Sequence, residues 1–182
     1  MKYEIILADF PWPYTAAGTA KLPYESMSWE KLRDFPWGEF CAPTCLVLSW
    51  VTGPLLAKQM ALHEEWALHH NWHFIGIPWV WVKTTKDGRP MSAVGPRPSL
   101  VKSQAEMVVA YSTKKGRPYP ILHETEHQWI FAPRGAHSEK PAELRDRIVG
   151  LLGDRPRLEL FARQEVEGWD QIGAQSKTPR IF

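Results

Sequence analysis

Four consecutive residues, Asp9-Phe10-Pro11-Trp12, place a carboxylate, a proline-fixed turn and a large flat ring directly after an apolar run. An exocyclic purine amine, such as N6 of adenine, is a poor nucleophile because its lone pair is delocalised into the ring. Two acceptors that hold both amine hydrogens orient it and favour attack on a methyl sulfonium. The Asp9 carboxylate supplies one acceptor and a loop backbone carbonyl the other. The Trp12 indole offers a face for the base, and such stacking is worth about 1–3 kcal/mol per base. A base inside a duplex has to be flipped out to reach this arrangement. Taken alone, an Asp-x-Pro-Trp tetrad reads more simply as a turn cap followed by a core tryptophan. A second place where chemistry could sit is Glu159-Leu160-Phe161-Ala162-Arg163. A carboxylate such as Glu159 at a strand end can accept hydrogen bonds from a cofactor.

Elements of regular structure have to hold these residues in place. Tyr3 to Asp9 reads as a buried strand, and Pro11 and Pro13 forbid its continuation. Ser28 can cap a short helix to about Asp34, with Glu30 in its first turn. Cys45 to Val51 is a second strand. Gly53 and Pro54 open a helix to about His70, with Leu56, Met60 and Ala67 on one face. Phe74 to Val82 is a third strand, Ala105 to Tyr111 a fourth and His127 to Ala132 a fifth. Thr84 to Gln104 is a long loop of the kind usually functional or disordered. Ser138 caps a helix to about Leu152, with Leu144, Ile148 and Leu151 or Leu152 facing inward, and Arg157 to Ala162 is a sixth strand. Alternating strands and helices predict an α/β fold, a single sheet with helices on both faces. Both chemical segments then lie toward the carboxyl ends of strands, where open α/β sheets bind ligands. With no composition break, residues 1–182 are expected to form one domain, with a short polar tail over 173–182.

Composition narrows the class. Of 182 residues, 44% are hydrophobic and 23% charged, the balance of a globular chain. No apolar run approaches the ~20 residues of a membrane helix, and the apolar start is too short for a signal peptide. The expected location is cytoplasmic, with no membrane partner. Cys41 and Cys45 make neither a disulfide framework nor a zinc CxxC pair. The net charge of +2 is unevenly spread. Lys83, Lys86, Arg89, Arg97, Lys102, Lys114, Lys115 and Arg117 form a basic stretch opposed only by Asp87 and Glu106. It suits contact with phosphates as well as it suits a solvated face. His123-Glu124-Thr125-Glu126-His127 matches the HExxH zinc pattern, which needs a helix and a third ligand. Pro118 and Pro120 upstream and a strand directly downstream favour a solvated loop. His63, His69, His70 and His73 read as exposed residues on or after a helix. No metal site is expected.

The tetrad is not isolated. Asp9-Phe10-Pro11-Trp12 resembles the catalytic Asp-Pro-Pro-Trp of the adenine-N6 methyltransferases that include the catalytic subunit of the eukaryotic messenger-RNA adenine methyltransferase, with its bacterial and phage relatives. Further segments resemble that family in the same order: Leu22-Pro23-Tyr24 with Met27-Ser28, Leu48 to Gly53, Trp79 to Thr84, Ala132-Pro133-Arg134, His137-Ser138 with Lys140-Pro141, Glu159 to Arg163, and Gly168-Trp169. The resemblance runs from about Tyr3 to Gln175. It implies a Rossmann-like, S-adenosylmethionine-dependent methyltransferase fold in permuted order, with the catalytic motif first and the cofactor strand near the end. It implies catalysis by Asp9, Phe10, Pro11 and Trp12. It also implies a cofactor site from Asp9, Arg134, His137, Ser138, Glu159, Phe161 and Gln175, with Glu159 serving either the cofactor or the fold. Trp12, Tyr14, Tyr24, Lys83, Arg97 and Lys102 are the expected substrate contacts. Phe10 departs from the family's first proline: the carbonyl survives, but the fixed φ is lost. The implied partner is adenine-containing nucleic acid, DNA favoured over RNA. A homodimer or second subunit is left open. Two rival readings stand: a non-catalytic nucleic-acid-binding partner of the same fold, and a methyltransferase for another planar amide or amine such as glutamine.

Overall fold

A computed structural model describes residues 1–14, 25–91, 103–123, 126–135 and 139–173. Its strands are β1 (Tyr3–Ala8), β2 (Cys41–Thr52), β3 (His73–Thr84), β4 (Ala105–Ser112), β5 (Trp129–Pro133), β6 (Arg157–Leu160) and β7 (Asp170–Ile172). Its helices are α1 (Trp29–Arg33), α2 (Trp37–Phe40), α3 (Leu56–His70) and α4 (Glu143–Leu152). The strands form one sheet in the order β5-β3-β4-β2-β1-β6-β7. β4 runs antiparallel to β2 and β3, while the other pairings are parallel. The carboxyl ends of β1, β2, β3, β5 and β6 therefore share one edge.

Alternation along β1 and β2 builds a core on each face of the sheet. Ile6, Ala8, Cys45, Val47 and Val51 pack on one side with Leu32 of α1, Trp37 of α2 and Leu62 and Trp66 of α3. Ile5, Leu7, Leu48 and Trp50 pack on the other with Leu144, Ile148 and Leu152 of α4. Each fully buried Val, Leu or Ile among them contributes about 1.5–3 kcal/mol. This is the expected α/β, Rossmann-like arrangement. Among the described residues no helix is long and apolar enough to cross a membrane.

Ser28 caps α1 as expected, accepting from the Lys31 backbone N–H at 3.3 Å. α3 follows a single 3₁₀ turn at Gly53–Leu55 and ends at Asn71, whose φ of 54° suits a left-handed cap. Its buried face differs from the expected one. Gln59, Leu62, His63, Trp66 and Ala67 are buried, whereas Leu56 and Met60 are only partly covered. His63, expected to be exposed, is 2% exposed. The aliphatic spacing misled because the helix turns two polar residues inward.

β2 begins four residues earlier than expected. The register steps from Tyr3↔Cys41 to Ile5↔Leu46, and Pro43 lies within the stretch that is skipped. α2 and β7 are short elements without a clear period and were not expected. β5 sits one to two residues further along than expected. β6 stops at Leu160 because Phe161 turns to φ 61°. α4 starts at Glu143 without a side-chain cap, so the expected helix start at Ser138 is not found, and Ser138 itself lies outside the described residues. β3 runs to Thr84, the first residue assigned to the long loop, and residues 92–102 of that loop are not among those described. Neither His123 nor His127 lies in a helix, the geometry HExxH zinc binding needs.

Candidate active site

Asp9 leaves the carboxyl end of β1, held between β2 and β6 by its N–H to the Leu160 carbonyl at 3.3 Å. Its carboxylate opens a chain of alternating charge. The Lys140 ammonium lies 3.0 Å from Asp9 Oδ1 and 3.1 Å from Glu106 Oε2. The Lys83 ammonium lies 2.5 Å from Glu106 Oε1. Lys140 also stands over Trp50 at 5.5 Å and Lys83 over Trp81 at 4.9 Å. The Lys140 and Glu106 side chains are 9% and 8% exposed, and Asp9 keeps 20%. Burial disfavours the Lys140 ammonium, but Asp9 and Glu106 outweigh it and hold its pKa well above the usual lysine value. Burial likewise disfavours the Glu106 carboxylate, and Lys140 and Lys83 reverse that and bring its pKa down.

Lys140 and Glu106 were not among the expected site residues. Glu106 sits on the antiparallel strand and Lys140 just before α4. Their meeting with Asp9 is a product of strand order that no local spacing shows. The available signal was Lys140-Pro141 recurring among the family-like segments.

The turn after Asp9 is tightly bonded. Trp12 N–H donates to the Phe10 carbonyl at 2.8 Å, Tyr14 N–H to the Trp12 carbonyl at 3.0 Å, and Met27 N–H to the Pro11 carbonyl at 2.9 Å. A carbonyl has two lone pairs, so the Phe10 oxygen can still accept from an amine. The Trp12 indole is 2% exposed and packs on Phe10, Trp29 and His63. It presents no open stacking face here, contrary to the expectation for it. Tyr14 hydrogen-bonds Thr52 Oγ1 at 2.9 Å, and the Thr52 N–H donates to Gln59 Oε1 at 2.8 Å. His63 Nδ1 lies 2.6 Å from the Gln59 carbonyl, so Nδ1 carries the proton. Burial lowers the His63 pKa to about 4, with the Gln59 contact opposing. α3 thus braces the tetrad from beneath.

Beside the charged chain lies a cavity of about 420 Å³, lined among others by Trp81, Lys83, Thr84, Lys86, Met91 and Arg134. The Thr84 hydroxyl is buried without a hydrogen-bond partner among the described residues. Lys83 and Arg134, expected as substrate and cofactor contacts, both face this cavity. Glu159 is engaged elsewhere: Arg145 of α4 reaches both its oxygens at 3.1 and 3.2 Å. Burial raises its pKa, Arg145 opposes this, and Asp9 adds to it. Of the two roles open to Glu159, the geometry matches support of the fold. Phe161 turns the chain at the end of β6, and Gly173 packs against the Ala162 backbone so closely that no Cβ fits. His137, Ser138, Gln175, Tyr24, Arg97 and Lys102 lie outside the described residues.

S-adenosylmethionine would need an anionic neighbour for its sulfonium end, and the Asp9 carboxylate, at the carboxyl end of β1 between β2 and β6, has that chemistry, so the residues fit. The fold and site together define an S-adenosylmethionine-dependent methyltransferase. A family model described as MT-A70 matches residues 3–175, and the chain belongs to that family of N6-adenine methyltransferases. The type II methyltransferase M.MunI from a Mycoplasma species is 27% identical, the match covering 99% of this chain and 80% of M.MunI. The human N(6)-adenine-specific methyltransferase METTL4 is 28% identical over 94% of this chain. Its mouse counterpart is 27% identical over 94%. The chain spans 37% of the length of METTL4 in either species.

Proposed function

We propose that this protein transfers a methyl group to N6 of adenine in DNA. The observation that carries the reading is the Asp9 carboxylate at a strand end, with the Phe10 carbonyl on the same turn, linked through Lys140 and Glu106 to Lys83 on the wall of the 420 Å³ cavity. That volume lies within the range of small-ligand clefts, roughly 300–1,000 Å³, and is ample for one base. Trp81 and Met91 give it apolar walls, while Lys83 and Lys86 offer charge suited to the flanking phosphates, with Glu139 also on the lining.

Asp9 accepts one N6 hydrogen and the Phe10 carbonyl the other, which leaves the amine lone pair directed away from both. When bound, S-adenosylmethionine supplies an electrophilic methyl group on a sulfonium. Lys140, 3.0 Å from Asp9 Oδ1, orients the carboxylate and yields one of its contacts as the amine arrives. Asp9 is then placed to take the proton the amine sheds. Asp9, Phe161, Gly173 and Arg134 would hold the cofactor.

DNA is proposed over RNA, and the phosphates of either polymer would meet Lys83 and Lys86 at the cavity. Residues 1–182 act as one domain, in the cytoplasm. The deciding experiment offers duplex DNA, single-stranded DNA and RNA in competition for labelled cofactor, followed by nucleoside analysis. N6-methyladenine recovered mainly from DNA supports the reading. Label recovered mainly from RNA overturns the polymer assignment. No label anywhere, together with no cofactor binding, supports a non-catalytic partner instead.

A further inference from the structure

The Phe10 side chain occupies a place that its position in the catalytic tetrad does not require. Its backbone carbonyl suffices as an amine acceptor, yet its ring is 2% exposed. The ring lies 5.2 Å from Trp12 and 5.0 Å from Phe161. Phe35, Trp37 and Trp66 close around it at 5.4, 5.7 and 5.2 Å. Trp12 belongs to the same tetrad. Phe161 belongs to the turn at the end of β6, where φ is 61° and the N–H reaches the Ile172 carbonyl at 2.5 Å. One ring therefore touches both halves of the site, the turn carrying Asp9 and the turn beside Gly173.

We propose that the Phe10 ring is a positioning residue that couples the β6 cofactor turn to the Asp9 turn and replaces the rigidity a proline would supply. Proline stiffens a loop by fixing its own φ and needs no neighbours. Phenylalanine leaves φ free, so the same order has to come from packing. Interlocked aromatic rings resist displacement because interiors are close-packed and have few alternative arrangements. A shift of Phe161 when the cofactor turn fills is then passed through the ring to Phe10 and Asp9. The consequence is counterintuitive. Restoring proline at position 10 removes the ring, opens a cavity among five aromatic neighbours and uncouples the turns. It lowers turnover instead of raising it.

This inference rests on the methyltransferase reading, and its test separates the two. Cofactor affinity is measured by calorimetry on wild type, Phe10→Leu, Phe161→Leu and the double variant. kcat and KM on an adenine-containing duplex and the unfolding midpoint are followed in parallel, with Phe10→Pro added. Phe10→Leu is expected to weaken cofactor binding about tenfold and lower kcat about as much, with KM for DNA little changed. The Phe10 and Phe161 effects are expected to be markedly non-additive, as contacting pairs are. Additive effects, or wild-type cofactor affinity in folded Phe10→Leu, overturn the coupling. A Phe10→Pro variant as fast as wild type or faster overturns the replacement. If Phe10→Pro does not fold, the leucine series still decides the coupling. A wild type that binds cofactor but methylates no adenine sinks the functional reading, and the affinity cycle still decides the role of Phe10.

Discussion

Removing the Lys140 ammonium leaves Asp9 and Glu106 facing one another with a single cation, Lys83, on the far side of Glu106. Breaking a buried ion pair by deleting one partner costs about 3–5 kcal/mol, because the remaining charge is stranded. Lys140→Met is therefore expected to lower stability by roughly that amount in urea titrations. Adding Glu106→Gln should recover part of the loss, since one stranded carboxylate is then neutral. Equal stability of Lys140→Met and wild type would mean that the pairing with Asp9 and Glu106 is not formed in solution. At this scale the sequence was partly legible. Asp9 stood out because an acid closes an apolar strand and a Pro-Trp pair follows. Glu106 and Lys140 did not, because their partnership depends on an antiparallel strand and a segment more than a hundred residues beyond Asp9.

α3 and the β6–β7 region set the conditions under which the site holds its shape. The folded pKa of His63 is about 4 against an ordinary 6.5, with burial the main cause. The unfolded chain therefore takes up a proton near pH 6.5 that the folded chain refuses until about pH 4. Stability is unaffected above that window and falls as pH drops through it, by up to roughly 3 kcal/mol. His63→Phe should flatten this dependence, measured as unfolding free energy between neutral and mildly acid pH. An unchanged slope would place the acid sensitivity in another group. Gly173→Ala is expected to be costly for a different reason: its Cβ would meet the Ala162 backbone, which has no free rotamer with which to yield. Weaker cofactor binding, together with a lowered melting temperature, is the predicted outcome. Both elements show why part of the fold escaped sequence reading. Helical period picked Leu56 and Met60 for burial, while Gln59 and His63 take that place to hydrogen-bond Thr52 and each other. β7 is three residues long, too short to leave a pattern.

Across the whole molecule, the strand order brings the charged chain of Asp9, Lys140, Glu106 and Lys83 to one edge of the sheet, beside the cavity. The strong, buried strands β1, β2 and β4 were readable from apolar runs, and with them the α/β class. The basic stretch was also readable, and Lys83 and Lys86 from it do line the cavity. Lys83 and Lys86 at the cavity offer charge to phosphates, contacts that carry no sequence information by themselves, so the proposed enzyme is expected to accept adenine in many sequence contexts unless a second subunit adds selectivity. Methylated duplexes mapped base by base should show a broad context; a single strict recognition sequence would contradict this. The central claim is that Asp9 makes the amine of adenine reactive, and one comparison tests it most directly: methyl transfer to duplex DNA by wild type and by Asp9→Asn, with cofactor affinity and folding followed in the same samples. The account predicts N6-methyladenine from wild type and a fall in kcat of about a hundredfold or more in a folded Asp9→Asn, in line with loss of one electrostatic contact at a reacting centre. An Asp9→Asn variant that methylates adenine at the wild-type rate would contradict it.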